Sequence, residues 1–119
     1  MAAKKGNVAL GAYLRRLREL RGMSRARIVQ TIGTNASENQ IMRIEAGEID
    51  TWATMLMFFL KAVQGNVHHA AELVLNSKAT EEDGRRLAEE WVQREEKNGT
   101  NGPMSFYVEV TKTQRSNGG

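Results

Sequence analysis

The sequence predicts an all-α protein: five short helices, then a sixth helix and one short β-strand. Three observations predict it. Apolar residues recur at helical spacing through most of the chain. Ser, Thr or Asn stands before most of these runs, where a side-chain oxygen can cap a helix N-terminus. Glycine closes several of them, because it accepts the left-handed conformation of a helix stop at little cost.

Taken in order, residues 1–6 read as a mobile basic arm carrying Lys4 and Lys5. Asn7 caps a helix running to about Arg21, with Leu10, Leu14 and Leu17 inward and Gly22 as its stop. Ser24 caps the second helix, whose inward face is Ile28, Val29 and Ile32, and Gly33 ends it. Thr34, Asn35 and Ala36 form a turn. Ser37 caps the third helix and Gln40 follows three residues on, the spacing of a reciprocal capping box. Ile41 and Ile44 face inward and Gly47 ends this helix. Thr51 begins the fourth, which runs through Trp52, Met55, Phe58, Phe59 and Val63 to Gly65. It is apolar nearly all round, which predicts cover from more than one neighbour. Asn66 caps a fifth helix reaching about Leu75, with Val67, Ala70, Ala71 and Val74 inward. After a connector at 76–79, Thr80 opens the sixth, because acids such as Glu81, Glu82 and Asp83 are favoured at a helix N-terminus. It presents Leu87, Ala88, Trp91 and Val92 and ends near Lys97. Phe106, Val108 and Val110 alternate within residues 105–113, a strand signal. The expected organisation is an arm (1–6), a helical domain (7–75), a C-terminal helix and strand (76–113) and a disordered tail (114–119).

Composition narrows the function classes. A chain of 119 residues with 40% hydrophobic content can bury a core but leaves little room for a deep enzyme cleft. There is no cysteine, hence no disulfide framework or thiolate metal site. No N-terminal run has the signature of a secretory signal peptide, and the expected location is cytoplasmic. The most apolar stretch, 53–63, is about half of what a bilayer span needs. The net charge of +3 is uneven. Residues 1–47 hold nine Lys or Arg and three acids, a net of +6, whereas residues 48–119 carry a net of −3. A basic half joined to an acidic half points to a polyanion partner for the first.

The segment 24–47 carries the sharpest signal. Two short capped helices joined through a glycine turn suit a second helix whose N-terminal end enters a major groove. Leu14-Arg15-Arg16-Leu17-Arg18, Gly22-Met23-Ser24, Ile28, Ile32-Gly33, Ser37, Ile41 and Arg43-Ile44-Glu45-Ala46-Gly47 occur at matching positions. On these residues, 10 to about 75 resemble the Cro/CI-type helix-turn-helix domain, the XRE family of five-helix bacterial and phage transcriptional regulators. The Arg-Ile-Glu-x-Gly piece is the most specific. There are departures. Val29 stands where the family usually has a small residue, the turn before Ser37 carries two extra residues, and Glu48 and Asp50 place acids after the third helix.

Helix geometry then assigns expected roles. Glu38, Asn39 and Met42 fall on the exposed face of the third helix, opposite Ile41 and Ile44. A carboxylate can accept from a cytosine amino group, an amide can pair with an adenine edge, and a thioether can contact a thymine methyl. Gln40 either completes the capping box or reaches a base or phosphate. Ser37, Arg25, Arg27 and Arg43, with Lys4 and Lys5, are placed to hold phosphates. His68 and His69 are adjacent and diverge by about 100° on a helix, the wrong spacing for a shared metal, so no metal or other cofactor is expected. No nucleophile and base fall together, so no enzyme activity is expected.

A lone strand leaves backbone groups unpaired. The C-terminal segment is therefore expected to pair across a two-fold axis, with Leu87, Trp91, Phe106, Val108 and Val110 forming a homodimer interface. The alternative is that it pairs with another protein by strand addition. The expected function is a sequence-specific double-stranded DNA-binding regulator, a dimeric repressor of phage, prophage or plasmid type. The alternative is an antitoxin-like or adaptor module that binds a protein partner. Recognition of structured RNA stays open but finds no aromatic platform in support.

Overall fold

The structure is a computed structural model that describes residues 6–33 and 36–98. Among the described residues every regular element is a helix: α1 Val8–Leu20, α2 Arg25–Ile32, α3 Glu38–Glu45, α4 Ala53–Val63, α5 Val67–Leu75 and α6 Glu81–Asn98. The strand expected around Phe106, Val108 and Val110 lies outside the described residues, as do Lys4, Lys5, Thr34 and Asn35.

The caps act as their residue types require. Asn7 accepts from the Leu10 N–H at 2.8 Å, Ser24 from Arg27 at 3.1 Å, and Asn66 from His68 at 2.7 Å. Thr80 and Asp83 form a reciprocal pair that starts α6: the Thr80 N–H donates to Asp83 Oδ2 at 2.9 Å and the Asp83 N–H to Thr80 Oγ1 at 3.2 Å. Gly22 and Gly47 take positive φ just past α1 and α3, and the flanking N–H groups fold back onto carbonyls of the last turn.

Two boundaries and two faces differ from expectation. Helix α4 starts at Ala53 rather than Thr51, and its cap position, Trp52, makes no side-chain capping bond. It stops at Gln64, not Gly65, with Gln64 itself left-handed at φ 56°. Gly65 is needed for closeness instead: a Cβ there would lie 2.9 Å from both Leu17 Cδ1 and Leu60 Cδ2. Helix α4 is also not covered all round. Met55, Phe59, Leu60 and Val63 are buried, while Met57 and Phe58 face outward. Helix α5 is rotated relative to its expected face: Ala70 and Leu73 are buried, whereas Ala71 and Val74 are exposed. With apolar residues at 67, 70, 71, 73, 74 and 75, periodicity alone does not choose between these faces.

Helix α1 is the centre of the core, with Ala9, Leu10, Tyr13, Leu14 and Leu17 all buried. Helix α6 runs parallel to it. Gly84 lies against Ala9, Arg16 pairs with Glu89 at 2.9 Å, and Arg21 pairs with Glu95 at 2.6 Å. Glu95 is buried by that last pair. The α4–α5 corner is held from both helices. Arg21 donates to the carbonyls of Val63 at 2.8 Å and Gln64 at 2.9 Å, and Trp91 Nε1 donates to Gln64 at 2.7 Å. The Tyr13 hydroxyl accepts the Asn66 N–H at 2.9 Å and lies 3.3 Å from His69 Nδ1. Holding a non-glycine residue at positive φ is costly, and this convergence of donors on one carbonyl offsets that cost.

Two outcomes test this packing. A Cβ at residue 84 would run into the Ala9 carbonyl, so Gly84→Ala should lower the stability measured by urea unfolding by about 1–3 kcal/mol, despite the better helix propensity of alanine. Burial raises the pKa of Tyr13 above its ordinary value, which is about 10 in the unfolded chain. The stability this contributes is complete below that pH and is lost as pH rises through the folded value. Tyr13→Phe should flatten the alkaline loss of stability, while costing about 1–3 kcal/mol at neutral pH because the Asn66 N–H loses its acceptor.

Candidate nucleic-acid interface

Helix α3 is short, and three constraints set its pose. Its N-terminus is closed by a full capping box: the Gln40 N–H donates to Ser37 Oγ at 3.1 Å, and the Ser37 N–H donates to Gln40 Oε1 at 3.3 Å. Its inner face, Ile41 and Ile44, is buried. Its last turn lies directly on α1, where a Cβ on Gly11 would come within 2.5 Å of the Ile44 and Glu45 carbonyl oxygens.

The third constraint is ionic. The Glu45 side chain is only 1% exposed. Arg18 Nε donates to its Oε2 at 2.6 Å and Arg18 Nη2 to its Oε1 at 3.2 Å, a forked pair. Arg25 Nε adds a bond to Oε1 at 3.1 Å, and Arg18 Nη1 donates to the Met23 carbonyl at 2.9 Å. One carboxylate thus joins α1, the turn after it, the first turn of α2 and the end of α3. Glu45 follows Ile41 by four residues and so shares its inward side, but charge alone does not announce a buried acid. Arg18 and Glu45 are the residues that a search for groove-facing side chains passes over.

The outer face of α3 presents Glu38, Asn39, Met42 and Arg43, all exposed. They offer an acceptor carboxylate, an amide that both donates and accepts, a polarisable apolar tip and a cation. Gln40 is half-buried with its carbonyl oxygen used by the capping box, so only its amide hydrogens remain for another partner. Ser37 is exposed, but its hydroxyl is engaged as the cap.

The expected phosphate-holding arginines are not equivalent. Arg27 stands exposed in the first turn of α2. Arg25 is turned onto Glu45, with its Nε 3.1 Å from Oε1 and its side chain about one-third exposed. Arg43 lies 3.5 Å from Glu48, both groups about half exposed, and such surface pairs contribute little. Arg15, Arg16 and Arg21 are also paired with acids. Among the described residues, six of the seven arginines of the first half thus stand beside an acid. Ala36 is buried in the core and Val29 is half-buried against it.

The expected interface residues divide similarly. Trp91 is buried in the chain's own core, edge-on to His69 at 5.8 Å, and Leu87 is half-buried against that core. Trp91 presents no free face, whereas Leu87 stays partly exposed beside α5.

A comparison with curated proteins finds one from Herpetosiphon aurantiacus, described as an uncharacterized 15.4 kDa protein in the HgiDIIM 5′ region. It is 44% identical over 108 residues, covering 91% of this chain and 75% of the relative. No protein-family model and no solved structure matches the chain.

Replacing Glu45 by glutamine leaves the Arg18 guanidinium buried without its counter-charge. Glu45→Gln should cost about 3–5 kcal/mol in urea unfolding, the usual penalty for breaking a buried pair from one side. Arg25→Gln, at the half-exposed partner, should cost under about 1 kcal/mol.

Proposed function

This chain belongs to one family with the Herpetosiphon aurantiacus protein, and we propose that it is a sequence-specific double-stranded DNA-binding regulator of the Cro/CI helix-turn-helix type. The observation that carries the reading is the outward row Glu38, Asn39, Met42 and Arg43 on a short helix whose opposite side is fixed to α1 by the Arg18–Glu45 fork. Base-edge recognition needs both parts: chemically varied side chains pointing out, and a support rigid enough to hold them in register. Helix α2 supplies the second element, with Arg27 at its N-terminal turn for a phosphate. Glu38, Asn39 and Met42 read bases, and the Gln40 amide hydrogens extend that reading. Ser37 and Arg43 stay close to the backbone. The regulator acts as a homodimer whose α3 helices sit about one DNA turn apart, roughly 34 Å, on an inverted repeat. It represses by occupying an operator of phage, prophage or plasmid type and excluding polymerase.

One observation favours a second reading, the antitoxin-like or adaptor module. The arginines of the first half are mostly neutralised within the chain. A protein that neutralises few phosphates has a shallow salt dependence and weak non-specific affinity.

Selection from a random duplex pool at about 0.15 M salt separates the two readings. The regulator reading expects enrichment of an inverted repeat, with Asn39→Ala losing about 1–3 kcal/mol of discrimination at one base pair of each half-site. Absence of any enriched sequence would remove this reading and leave the protein-partner module.

A further inference from the structure

We propose that the C-terminal segment Phe106-Tyr107-Val108-Glu109-Val110 docks in the apolar groove between α4 and α5 of its own chain. The proposal goes beyond the DNA-binding reading and does not depend on it. It gives the segment a place within the molecule instead of a strand pairing with another. The groove is open, with a volume of about 280 Å³, and every side chain that lines it is apolar. Met57 comes from α4, and Val67, Ala71, Val74 and Leu75 come from α5. Met57, Val74 and Leu75 are 43%, 47% and 84% exposed.

Shape, reach and tethering choose this occupant. From Val67 to Leu75 the lining runs for about 12 Å at the rise of a helix. Spread over that length, 280 Å³ leaves a channel about 5 Å wide, room for one row of side chains and too narrow for a helix of about 10–12 Å. An extended segment supplies such a row, because alternate residues share a face. Phe106, Val108 and Val110 are that row, with Tyr107 and Glu109 between them. In extended form they span about 13 Å, which matches the groove.

Reach follows from where α6 ends. Glu95 is held by Arg21, which also donates to the carbonyls of Val63 and Gln64. The last turn of α6 therefore lies at the α4–α5 corner, and Val67, at one end of the groove, is three residues past Gln64. Phe106 follows Asn98, the last residue of α6, by eight residues, which cover up to about 26 Å. Entering at Val67 and running towards Leu75, the segment sets Val110 against Leu75. Tethering supplies the affinity. Three part-exposed side chains are too few to hold a free partner, since a specific interface must clear about 1,000 Å². A segment joined by a short linker meets the groove at an effective concentration on the order of millimolar, so a small apolar contact suffices.

The chain has no cysteine, so disulfide trapping in the full chain is the test. Leu75→Cys with Val110→Cys should close an intramolecular bond under mild oxidation, at a rate independent of protein concentration. That rate should exceed the one for Glu38→Cys with Val110→Cys, whose partner lies on α3, by at least about tenfold. Leu75 is exposed at the end of α5, so the helical circular dichroism should match that of the parent. Added to the first pair, Phe106→Glu and Met57→Glu should each slow closure about tenfold or more. Equal rates for the two cysteine pairs, or closure indifferent to Phe106→Glu and Met57→Glu, overturn the proposal. Disulfide-linked pairs of molecules whose yield rises with concentration also overturn it, because the segment then reaches the groove of another copy.

Discussion

The forked bond between Arg18 and Glu45 is the contact on which the geometry of the first half depends. A buried carboxylate is expensive unless its charge and lone pairs are met. Here they are met by one arginine from α1 and a second from α2. Because these come from different helices, satisfying Glu45 fixes three helices relative to one another. The same guanidinium also closes the turn after α1 through the Met23 carbonyl. Gly11 then removes the last steric obstacle to seating the end of α3 on α1. Net stability is not the main product of such a pair, since apolar replacements often do as well. Its product is a single allowed pose of α3, with Glu38, Asn39, Met42 and Arg43 on the exposed side.

A second polar knot organises the other end. Arg21, Trp91 and Tyr13 all reach the corner between α4 and α5. Helix α6 is part of this arrangement rather than an appendage: its Glu95 neutralises Arg21 and its Trp91 closes over the same carbonyl. Covering α1 with α6 uses the inner face of that helix. Apart from Met42 on α3, the large apolar side chains left in water among the described residues lie on α4, at its cap position Trp52, and on α5.

Local chemistry was the legible part of the sequence. Asn7, Ser24, Ser37, Asn66 and Thr80 were readable as caps because capping needs only near neighbours, and all five make capping bonds. The inward faces of α1 and α3 were readable because polar residues mark their outer sides. The faces of α4 and α5 were not, since nearly every position is apolar and the choice is made by distant partners. The stop of α4 was misplaced by one residue for a similar reason: Gly65 looks like a helix terminator, but its missing Cβ makes room for Leu17 and Leu60. Charge was legible as a total and misleading as a map. Arg18, Arg21 and Arg25 count toward a basic half, yet each finds an acid brought near by folding, and both of those acids, Glu45 and Glu95, are buried. For the candidate site, Glu38, Asn39 and Met42 are exposed on α3 where helical geometry put them, while the support behind them needed tertiary structure to be seen.

The parallel seating of α6 on α1 also has a consequence for how the chain is made. The bonds that join these helices span 73 and 74 residues, so they close loops covering most of the described chain. Such long-range contacts slow folding, because loop closure comes before any stabilisation they return. During synthesis, α1 leaves the ribosome first and α6 last of the six. Until Gly84, Trp91 and Glu95 emerge, the face of α1 that they cover stays open to water and to other nascent chains. The helix at the centre of the finished core is thus the one that waits longest for its cover.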